Sequence, residues 1–465
     1  MAGRTAGRHA QIYAFSLRKI IFASSIGTMI EWYDFYIFGS LVTVLATVFF
    51  PKGNEAAAFL STLATFAIGF VVRPFGAVFF GRIGDLIGRK FTFLVTMSIM
   101  GGATFTVGLL PSYETVGWLA PGILVILRLL QGLALGGEYG GAAIYVAEHA
   151  PDHKRGFFTA YIQTTATLGL VISLIIVAST EALLGAEAFN AYGWRIPFLL
   201  SGFLVGLALY VRASLKETPL FDRLKATGKT SSAPLRDSFR NGAWKLMTLA
   251  LFGATAGQGV VWYTAQFYSL VFLQKVLKLS IIESSVLVGI ALVLATPFFL
   301  VFGSLSDRIG RKPIIMAGCA LGALTFIPLF KLMTSAACGP QPPAAEVGSC
   351  SPINATMIVL AVFLLVLCVT MVYGPIAAFL VELFPGKIRY TSLSLPYHIG
   401  NGMFGGIVPV VATAIAAQTG NIYAGLAYPI AVAAMTFFVG LLLLRETNTN
   451  RIYEEIGVAP VPVGQ

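Results

Sequence analysis

Two stretches of ten residues, GRIGDLIGRK at 81–90 and GSLSDRIGRK at 303–312, follow the same pattern, G-x-x-x-D-x-x-G-R-K. Each combines one carboxylate with three basic side chains and lies between two long apolar runs. Short basic loops between apolar runs are typical of a chain that crosses a membrane several times. The pair therefore predicts a membrane protein built from two related halves.

Two further motifs occur twice, in the same order along the chain. E-x-x-P-x-x-x-R occupies 148–155 and 382–389, and a Glu-Thr pair stands at 217–218 and 446–447. The copies lie roughly 230 residues apart, which indicates one duplicated unit with small changes in loop length. Many transporters are built from such halves, with the substrate site at their interface. The predicted domains are an N-terminal six-helix bundle over 1–213, a cytoplasmic linker over 214–243, a C-terminal six-helix bundle over 244–450 and a short cytoplasmic tail over 451–465.

The composition of the 465-residue chain requires a bilayer. Hydrophobic residues make up 57% of it and charged residues only 11%, whereas a soluble domain carries roughly 25% charged residues. Twelve apolar runs reach the roughly 20 residues that a membrane-crossing helix needs. The predicted fold is all-α, with twelve transmembrane helices in two pseudo-symmetric bundles. The predicted spans are 18–48, 56–82, 91–111, 119–148, 157–183, 194–213, 245–274, 284–305, 313–333, 354–384, 391–417 and 424–444.

Lysine and arginine are distributed unequally between the two sides of this arrangement. Of the 31 basic residues, all but a few lie on the side that carries both chain ends. Cytoplasmic loops are enriched in Lys and Arg, so both termini are predicted to be cytoplasmic and the protein to be a multi-pass component of the cell inner membrane. The same asymmetry explains the net charge of +11 without a nucleic-acid partner.

The paired decapeptides, placed in this way in a chain of six plus six spans, resemble the signature of the major facilitator superfamily. Further segments are similar to its metabolite:proton symporter subfamily, which includes α-ketoglutarate, citrate, shikimate and proline/betaine carriers. These segments are EWYDF at 31–35, RPFG at 73–76, QG at 131–132 followed by GGEY at 136–139, and WRIPF at 194–198. The resemblance implies alternating access by a secondary active transporter, not an enzyme, with no cofactor and the proton as coupling ion.

The same resemblance indicates the direction of coupling. Arg128-x-x-Gln131-Gly132 matches a fourth-span motif that is associated with proton coupling in the superfamily. The fifth-span Gly-Pro motif of drug antiporters is missing from 157–183. Symport is therefore implied rather than antiport.

Five ionisable side chains stand out deep within the predicted spans, all of them in the N-terminal half: Glu31, Asp34, Arg73, Arg128 and Glu138. A charge at the bilayer centre costs at least about 2.5 kcal/mol unless it is paired or hydrated, so each needs a reason. Glu31 and Asp34 share a helix face, and we expect one of them to alternate between protonated and ionised forms. We also assign Arg128 and Glu138 to proton coupling. The alternative is that Glu31 with Arg73, and Glu138 with Arg128, form permanent ion pairs between helices.

An arginine fork binds carboxylates through two parallel hydrogen bonds, which makes an anionic metabolite the leading substrate class. The C-terminal half offers amides and aromatic rings instead. Gln258, Trp262 and Gln266 are four apart and are expected to line a cavity or, alternatively, to pack helices together. His398 is either proton-linked or a helix-to-helix hydrogen-bond donor. The predicted substrate-binding residues are Arg73, Arg128, Gln131, Tyr161, Gln258, Trp262, Tyr263, Gln266, Tyr373, His398 and Asn401.

The repeated charged motifs are interpreted as a cytoplasmic gate whose ion pairs form in one conformation and break in the other; alternatively they only set topology. The predicted gating residues are Gly81, Asp85, Arg89, Glu148, Arg155, Asp307, Arg311, Glu382 and Arg389. Cys338 and Cys350 share an outward loop, where an oxidising compartment permits a disulfide. We find no sequence motif for a metal.

Together these patterns predict a proton-coupled symporter that carries a small organic acid, a carboxylate metabolite, into the cell, and that is monomeric in the lipid bilayer. The alternative is a carrier for a zwitterionic osmolyte or amino acid of the proline/betaine kind. In that case the Trp and Tyr side chains of the seventh span would hold a quaternary ammonium group by cation–π contact. An intramembrane enzyme is disfavoured because no activated nucleophile stands at motif spacing.

Overall fold

A computed structural model describes residues 21–22, 24–86, 89–213, 234–239, 242–338, 354–386 and 388–452. Most of the predicted linker and nearly all of the predicted tail lie outside this part of the chain. Within it, nine single helices, two bent helix pairs and one shorter apolar helix form twelve spans, as predicted. In chain order they are α1 Ser24–Ser40 with Val42–Phe49, α2 Glu55–Ile83, α3 Leu94–Leu109, α4 Leu119–His149, α5 Asp152–Leu184, α6 Ala186–Gly193 with Arg195–Tyr210, α7 Ala243–Val276, α8 Ile281–Ile309, α9 Arg311–Cys338, α10 Ala355–Leu383, α11 Arg389–Thr419 and α12 Ala424–Leu443.

The two bent spans, α1 and α6, are the main departures from straight helices. Their two parts meet at 62° in α1 and 56° in α6. In α6, Pro197 stands in the first turn after the bend, where a helix does not need the missing backbone N–H. A bend followed at once by a regular helix is therefore compatible with the local sequence.

Glycines allow α2 and α4 to touch along their backbones. A Cβ atom on Gly132 would lie 2.0 Å from the Gly69 carbonyl oxygen, and one on Gly136 would lie 2.1 Å from the Arg73 carbonyl oxygen. Small residues at helix interfaces are the usual means of close approach in membranes. This contact brings the helices that carry Arg73 and Arg128 together in the N-terminal bundle.

Glycines also bring the two bundles together. A Cβ atom on Gly303 of α8 would lie 2.7 Å from the Gly156 carbonyl oxygen of α5, and one on Gly402 of α11 would lie 2.4 Å from the Phe70 carbonyl oxygen of α2. The first contact lies at the cytoplasmic ends of the helices and the second near their middle. The bundles are thus closed against each other over the cytoplasmic half.

Helices α7 and α11 contain π-helical turns within otherwise regular spans. In α7 these turns cover Leu251–Thr255, Thr264–Tyr268 and Phe272–Val276, and in α11 one covers Ile399–Gly405. A π-turn adds a residue to the helical repeat and rotates the side chains that follow it; such turns are frequent at functional sites. The spacing of residues in the sequence alone therefore does not show which side of α7 each side chain occupies.

Candidate functional site

Arg73 lies at the centre of the molecule and is completely buried. Its guanidinium carbon stands 4.2 Å from the ring centroid of Phe70, 4.4 Å from that of Phe35 and 5.5 Å from that of Trp32. Within the described part of the chain, none of its three side-chain nitrogens has a hydrogen-bond partner. Ring faces attract a cation, but they leave the N–H donors unsatisfied, which is costly in a buried place. The arrangement suits an added acceptor such as a carboxylate.

The alternative of a permanent ion pair between Glu31 and Arg73 is wrong for the described residues. Among the residues described, Arg73 forms no ion pair, because its guanidinium lies against the aromatic rings of α1 and α2. Glu31 itself is buried.

Arg128 is engaged inside the N-terminal bundle. It donates to Gln131 Oε1 at 2.6 Å and reaches the Phe66 carbonyl oxygen at 3.4 Å, while Gln131 donates to the Thr104 hydroxyl at 2.7 Å. The alternative of an Arg128–Glu138 pair is also wrong for the described residues, because these bonds hold Arg128 near Gln131, one turn away on its own helix. Gln131 thus positions Arg128.

Asp34 faces the interior of the N-terminal bundle. It is fully buried, and the Ser201 hydroxyl of α6 faces it. Across the described residues, neither the two carboxyl oxygens of Asp34 nor the Ser201 hydroxyl has a partner within hydrogen-bond distance. The neighbouring Tyr33 donates to the Pro197 carbonyl oxygen at 2.8 Å, which fixes this face of α1 against α6. An unpaired buried carboxylate is costly, so this surrounding sets Asp34 apart from the hydrogen-bonded polar groups near it.

A set of aromatic rings, here termed the aromatic box, joins the two bundles beside Arg73. Tyr36 stacks on Trp32 at a centroid distance of 5.0 Å and on Trp262 at 5.3 Å. Phe267 lies 5.0 Å from Tyr36, and Tyr263 lies 4.9 Å from Trp262. The Tyr263 hydroxyl faces the Arg73 guanidinium. Trp and Tyr rings at this position offer a surface for a cationic group once they separate from each other.

Gln258 and Gln266 of α7 each form hydrogen bonds to another helix, which favours the helix-packing alternative over a cavity lined together with Trp262. Gln258 exchanges two hydrogen bonds with Asn401, of 3.0 and 2.8 Å, inside the C-terminal bundle. Gln266 instead donates to Thr167 of α5 at 3.3 Å, across the two bundles. The π-turn at Thr264–Tyr268 separates Gln266 from the regular spacing of the other two. Gln258 and Asn401 act as a satisfied pair between α7 and α11.

A layer of tyrosines separates the aromatic box from the cytoplasmic face. Tyr139 of α4 stacks on Tyr397 of α11, with a centroid distance of 3.6 Å and an interplanar angle of 3°. The Tyr397 and Tyr373 hydroxyls are 2.8 Å apart, and Gln163 donates to the Tyr139 hydroxyl at 2.6 Å. Sequence reasoning assigned no site role to Tyr139 or Gln163, although Tyr139 ends the GGEY segment. Tyr161, which was predicted to bind substrate, packs on Phe157 nearer the cytoplasm.

Glu382 is the centre of an ion-pair cluster at the cytoplasmic face. It accepts from Arg155 at 2.8 Å, from Arg311 at 3.0 and 3.2 Å and from the Thr447 hydroxyl at 2.9 Å. The Arg155 bond crosses from the N-terminal to the C-terminal bundle. The sequence motifs around Arg155 and Glu382 thus meet in one cluster that closes the cytoplasmic face.

Asp307 makes a second connection between the bundles. Its two carboxylate oxygens accept from the backbone N–H groups of Gly156 at 2.8 Å and Phe157 at 2.9 Å, and Arg311 lies 2.7 Å away. These N–H groups belong to the first turn of the helix Arg155–Leu184, where a negative charge is favoured by the helix dipole. Asp307 therefore caps a helix of the opposite bundle.

The remaining predicted gate residues have other surroundings. Arg389 donates to the Val381 and Phe384 carbonyl oxygens, both at 2.9 Å, which secures the turn between α10 and α11. Gly81 faces the Tyr390 ring, and Glu148 is buried at the end of α4. The side chains of Asp85 and Arg89 lie outside the described part.

The cysteines differ in state. Cys338 is disulfide-bonded, whereas Cys319 and Cys368 are free and buried. Cys350, its predicted partner, lies outside the described residues. In the part of the chain that the structure describes, no group of three or more His, Cys, Asp or Glu side chains is placed to hold a metal ion.

Two six-helix bundles that enclose a buried arginine and aromatic site, and that are joined by ion pairs at one face, are the architecture of a secondary transporter. The family model for sugar (and other) transporters matches residues 19–243 and 222–456. The chain belongs to this family, within the major facilitator superfamily. It is therefore a multi-pass inner-membrane transporter of a small molecule and not an enzyme.

Curated relatives and solved structures agree with this assignment. The chain is 34% identical over 441 residues to the glycine betaine/proline/ectoine/pipecolic acid transporter of Dickeya dadantii, covering 93% of this chain and 84% of the relative. It is 36% identical to an inner membrane metabolite transport protein of Escherichia coli, covering 93% and 95%. A solved proton:xylose symporter of the superfamily superposes with a TM-score of 0.70 at 19% identity, covering 95% of this chain and 98% of the symporter. That last likeness shows the shared fold.

Proposed function

We propose that this protein takes up a small zwitterionic osmolyte or amino acid, of the betaine or proline kind, together with protons. The observation that carries the proposal is the buried guanidinium of Arg73, without an acceptor among the described residues and next to the aromatic box. The substrate carboxylate binds the guanidinium. In this proposal the cationic nitrogen enters the aromatic box, where the Trp262 and Tyr36 rings separate and present their faces to it.

This substrate class replaces the organic acid as the leading hypothesis. Of the two arginines predicted to bind substrate, Arg128 already donates to Gln131, which leaves the Arg73 guanidinium for a carboxylate group. A di- or tricarboxylate would leave further negative charge against aromatic ring faces, which repel it. The relative from Dickeya dadantii is named for betaine, proline and similar zwitterions, which supports the same choice.

Asp34 is the proposed proton carrier. Its carboxyl group is buried beside Ser201 and has no hydrogen-bond partner among the described residues, so releasing its proton is costly until the conformation admits water. A group that holds its proton in the closed state and loses it when exposed to the cytoplasm moves one proton per cycle. The Arg128–Gln131 pair supplies the fixed positive charge in the same bundle.

The test is the external pH of lightly buffered proteoliposomes as single compounds are added. We expect alkalinisation with glycine betaine or proline and none with citrate or α-ketoglutarate. Asp34→Asn should abolish the pH change while exchange of labelled substrate persists, because a neutral side chain cannot release a proton. Glu114→Gln, at an exposed carboxylate, is the matched control and should behave as wild type. Alkalinisation with the carboxylates alone would refute the zwitterion hypothesis, and full coupling in Asp34→Asn would refute the role of Asp34.

A further inference from the structure

His398 is a buried side chain that the proposed function does not yet use. It is only 1% exposed, and within the described residues neither ring nitrogen has a hydrogen-bond partner. An imidazole carries at least one N–H donor in every protonation state. Leaving such a donor without an acceptor in a closed interior is costly, which points to a ligand.

The backbone places His398 beside Arg73. Gly402 of α11 touches the Phe70 carbonyl oxygen of α2, where an added Cβ would lie at 2.4 Å. The two helices run in opposite directions, so His398, four residues before Gly402, and Arg73, three residues after Phe70, both lie about one helical turn nearer the cytoplasm. The two side chains therefore approach the same place from opposite bundles.

The neighbouring tyrosines do not supply an acceptor for His398. The rings of Tyr397 and Tyr139 meet the imidazole edge to face, at centroid distances of 5.2 and 6.4 Å. Their hydroxyls are already bonded, Tyr397 to Tyr373 and Tyr139 to Gln163. These rings pack against the imidazole, and an acceptor for His398 therefore has to come from a bound ligand.

We propose that His398 is the second ligand of the substrate carboxylate, which Arg73 binds from the N-terminal bundle and His398 from the C-terminal bundle. The inference rests on the proposed function, because it needs a substrate that carries a carboxylate. A bound carboxylate then bridges the bundles, and a ligand with the cationic group alone fills the aromatic box without bridging them. His398 thereby selects zwitterions over simple quaternary ammonium compounds.

The test compares glycine betaine with choline, which keeps the quaternary ammonium but has a hydroxyl in place of the carboxylate. Binding is followed by tryptophan fluorescence on purified wild type, His398→Phe and His398→Gln. We expect His398→Phe, which keeps a ring but has no donor, to weaken glycine betaine binding about tenfold or more, the effect of losing a hydrogen bond to a charged group. Choline binding should not change, and His398→Gln, which keeps a donor, should retain most of the betaine affinity.

Two results would overturn the assignment: unchanged glycine betaine affinity in His398→Phe, or an equal loss for betaine and choline, which would mark a structural role. Should His398→Phe not fold, His398→Leu takes its place in the same comparison. Wild-type protein that binds neither glycine betaine nor proline would refute the proposed function itself. If instead the wild type binds glycine betaine and His398→Phe binds it equally well, only the role of His398 is refuted.

Discussion

Replacing Asp307 by asparagine should shift the transporter towards the state that is open to the cytoplasm. In the closed structure the two carboxylate oxygens of Asp307 accept one bond each from the N–H groups of Gly156 and Phe157, across the bundle interface. An asparagine side chain has one acceptor oxygen, and its NH₂ group cannot accept. One of the two backbone N–H groups therefore loses its partner in the closed state, whereas both are free to bind water once the bundles part.

The size of the shift follows from the bonds that cross the interface. A buried donor left without a partner costs about 1–3 kcal/mol, and removing a charge at a helix N-terminus costs about 0.3–1 kcal/mol more. The ion pair of Asp307 with Arg311 lies within the C-terminal bundle. Its loss therefore affects the closed and open states equally and does not change the free-energy difference between them. A destabilisation of about 2 kcal/mol corresponds to about a 30-fold larger open population.

Glu446→Gln is the matched control. Glu446 also caps a helix, accepting from the N–H groups of Arg311 at 2.8 Å and Lys312 at 3.0 Å. All three residues belong to the C-terminal bundle, so the same chemical change affects stability without favouring either state. We expect the open population of this variant to match that of wild type.

The assay is the alkylation rate of a cysteine placed at Ser394, with the free native cysteines replaced by alanine. Ser394 is buried and faces Gly140 of α4 across the interface, so its labelling requires the cytoplasmic halves to separate. The rate is proportional to the open population when opening is fast relative to alkylation. Asp307→Asn should raise it about 30-fold, within the range of about 5 to 150 that 1–3 kcal/mol allows. Equal rates in Asp307→Asn and Glu446→Gln would refute the assignment of Asp307 to the gate.

Two further changes test the site and the packing. Trp262→Leu should raise the KM for glycine betaine about 3- to 30-fold, because a cation–π contact is worth about 0.5–2 kcal/mol. Trp118→Leu, at a tryptophan that is 69% exposed, should leave this KM unchanged. Equal KM values in the two variants would contradict the role of the aromatic box. Gly132→Ala should lower the melting temperature, since its Cβ would stand 2.0 Å from the Gly69 carbonyl oxygen and overpacking costs about 1–3 kcal/mol. Gly122→Ala on the same helix meets nothing within 4 Å and should melt at least as high as wild type, so the opposite order would disprove the close contact of α2 and α4.

Much of the architecture follows from local properties of the sequence. Apolar runs of spanning length can only be helices in a bilayer, because every backbone polar group must be bonded within its own segment. Basic loops mark one side, and the repeated motifs mark the duplication. The contact between Arg155 and Glu382 follows from the repeated motifs for the same reason, since both residues stand at corresponding loops of the two halves.

The direction in which individual side chains point could not be predicted from the sequence in this way. Arg73 was the alternative ion-pair partner of Glu31, yet Arg73 lies among aromatic rings, and the Ser201 hydroxyl faces Asp34. Gln258 and Gln266 were expected to act together, yet π-turns in α7 direct them to Asn401 and Thr167. Helix rotation and register depend on contacts between distant parts of the chain, which periodicity does not report.

Twelve spans, two related halves and the charged cytoplasmic face follow from the sequence alone, because hydrophobic length, loop charge and repetition are properties of consecutive residues. That Arg73 makes no hydrogen bond among the residues described, and that His398 approaches it from the other bundle, emerges only once the helices are packed. Both depend on how closely α2, α4 and α11 approach one another. That distance is set by a few glycines whose partners lie on different helices, so it is fixed only once the helices have packed.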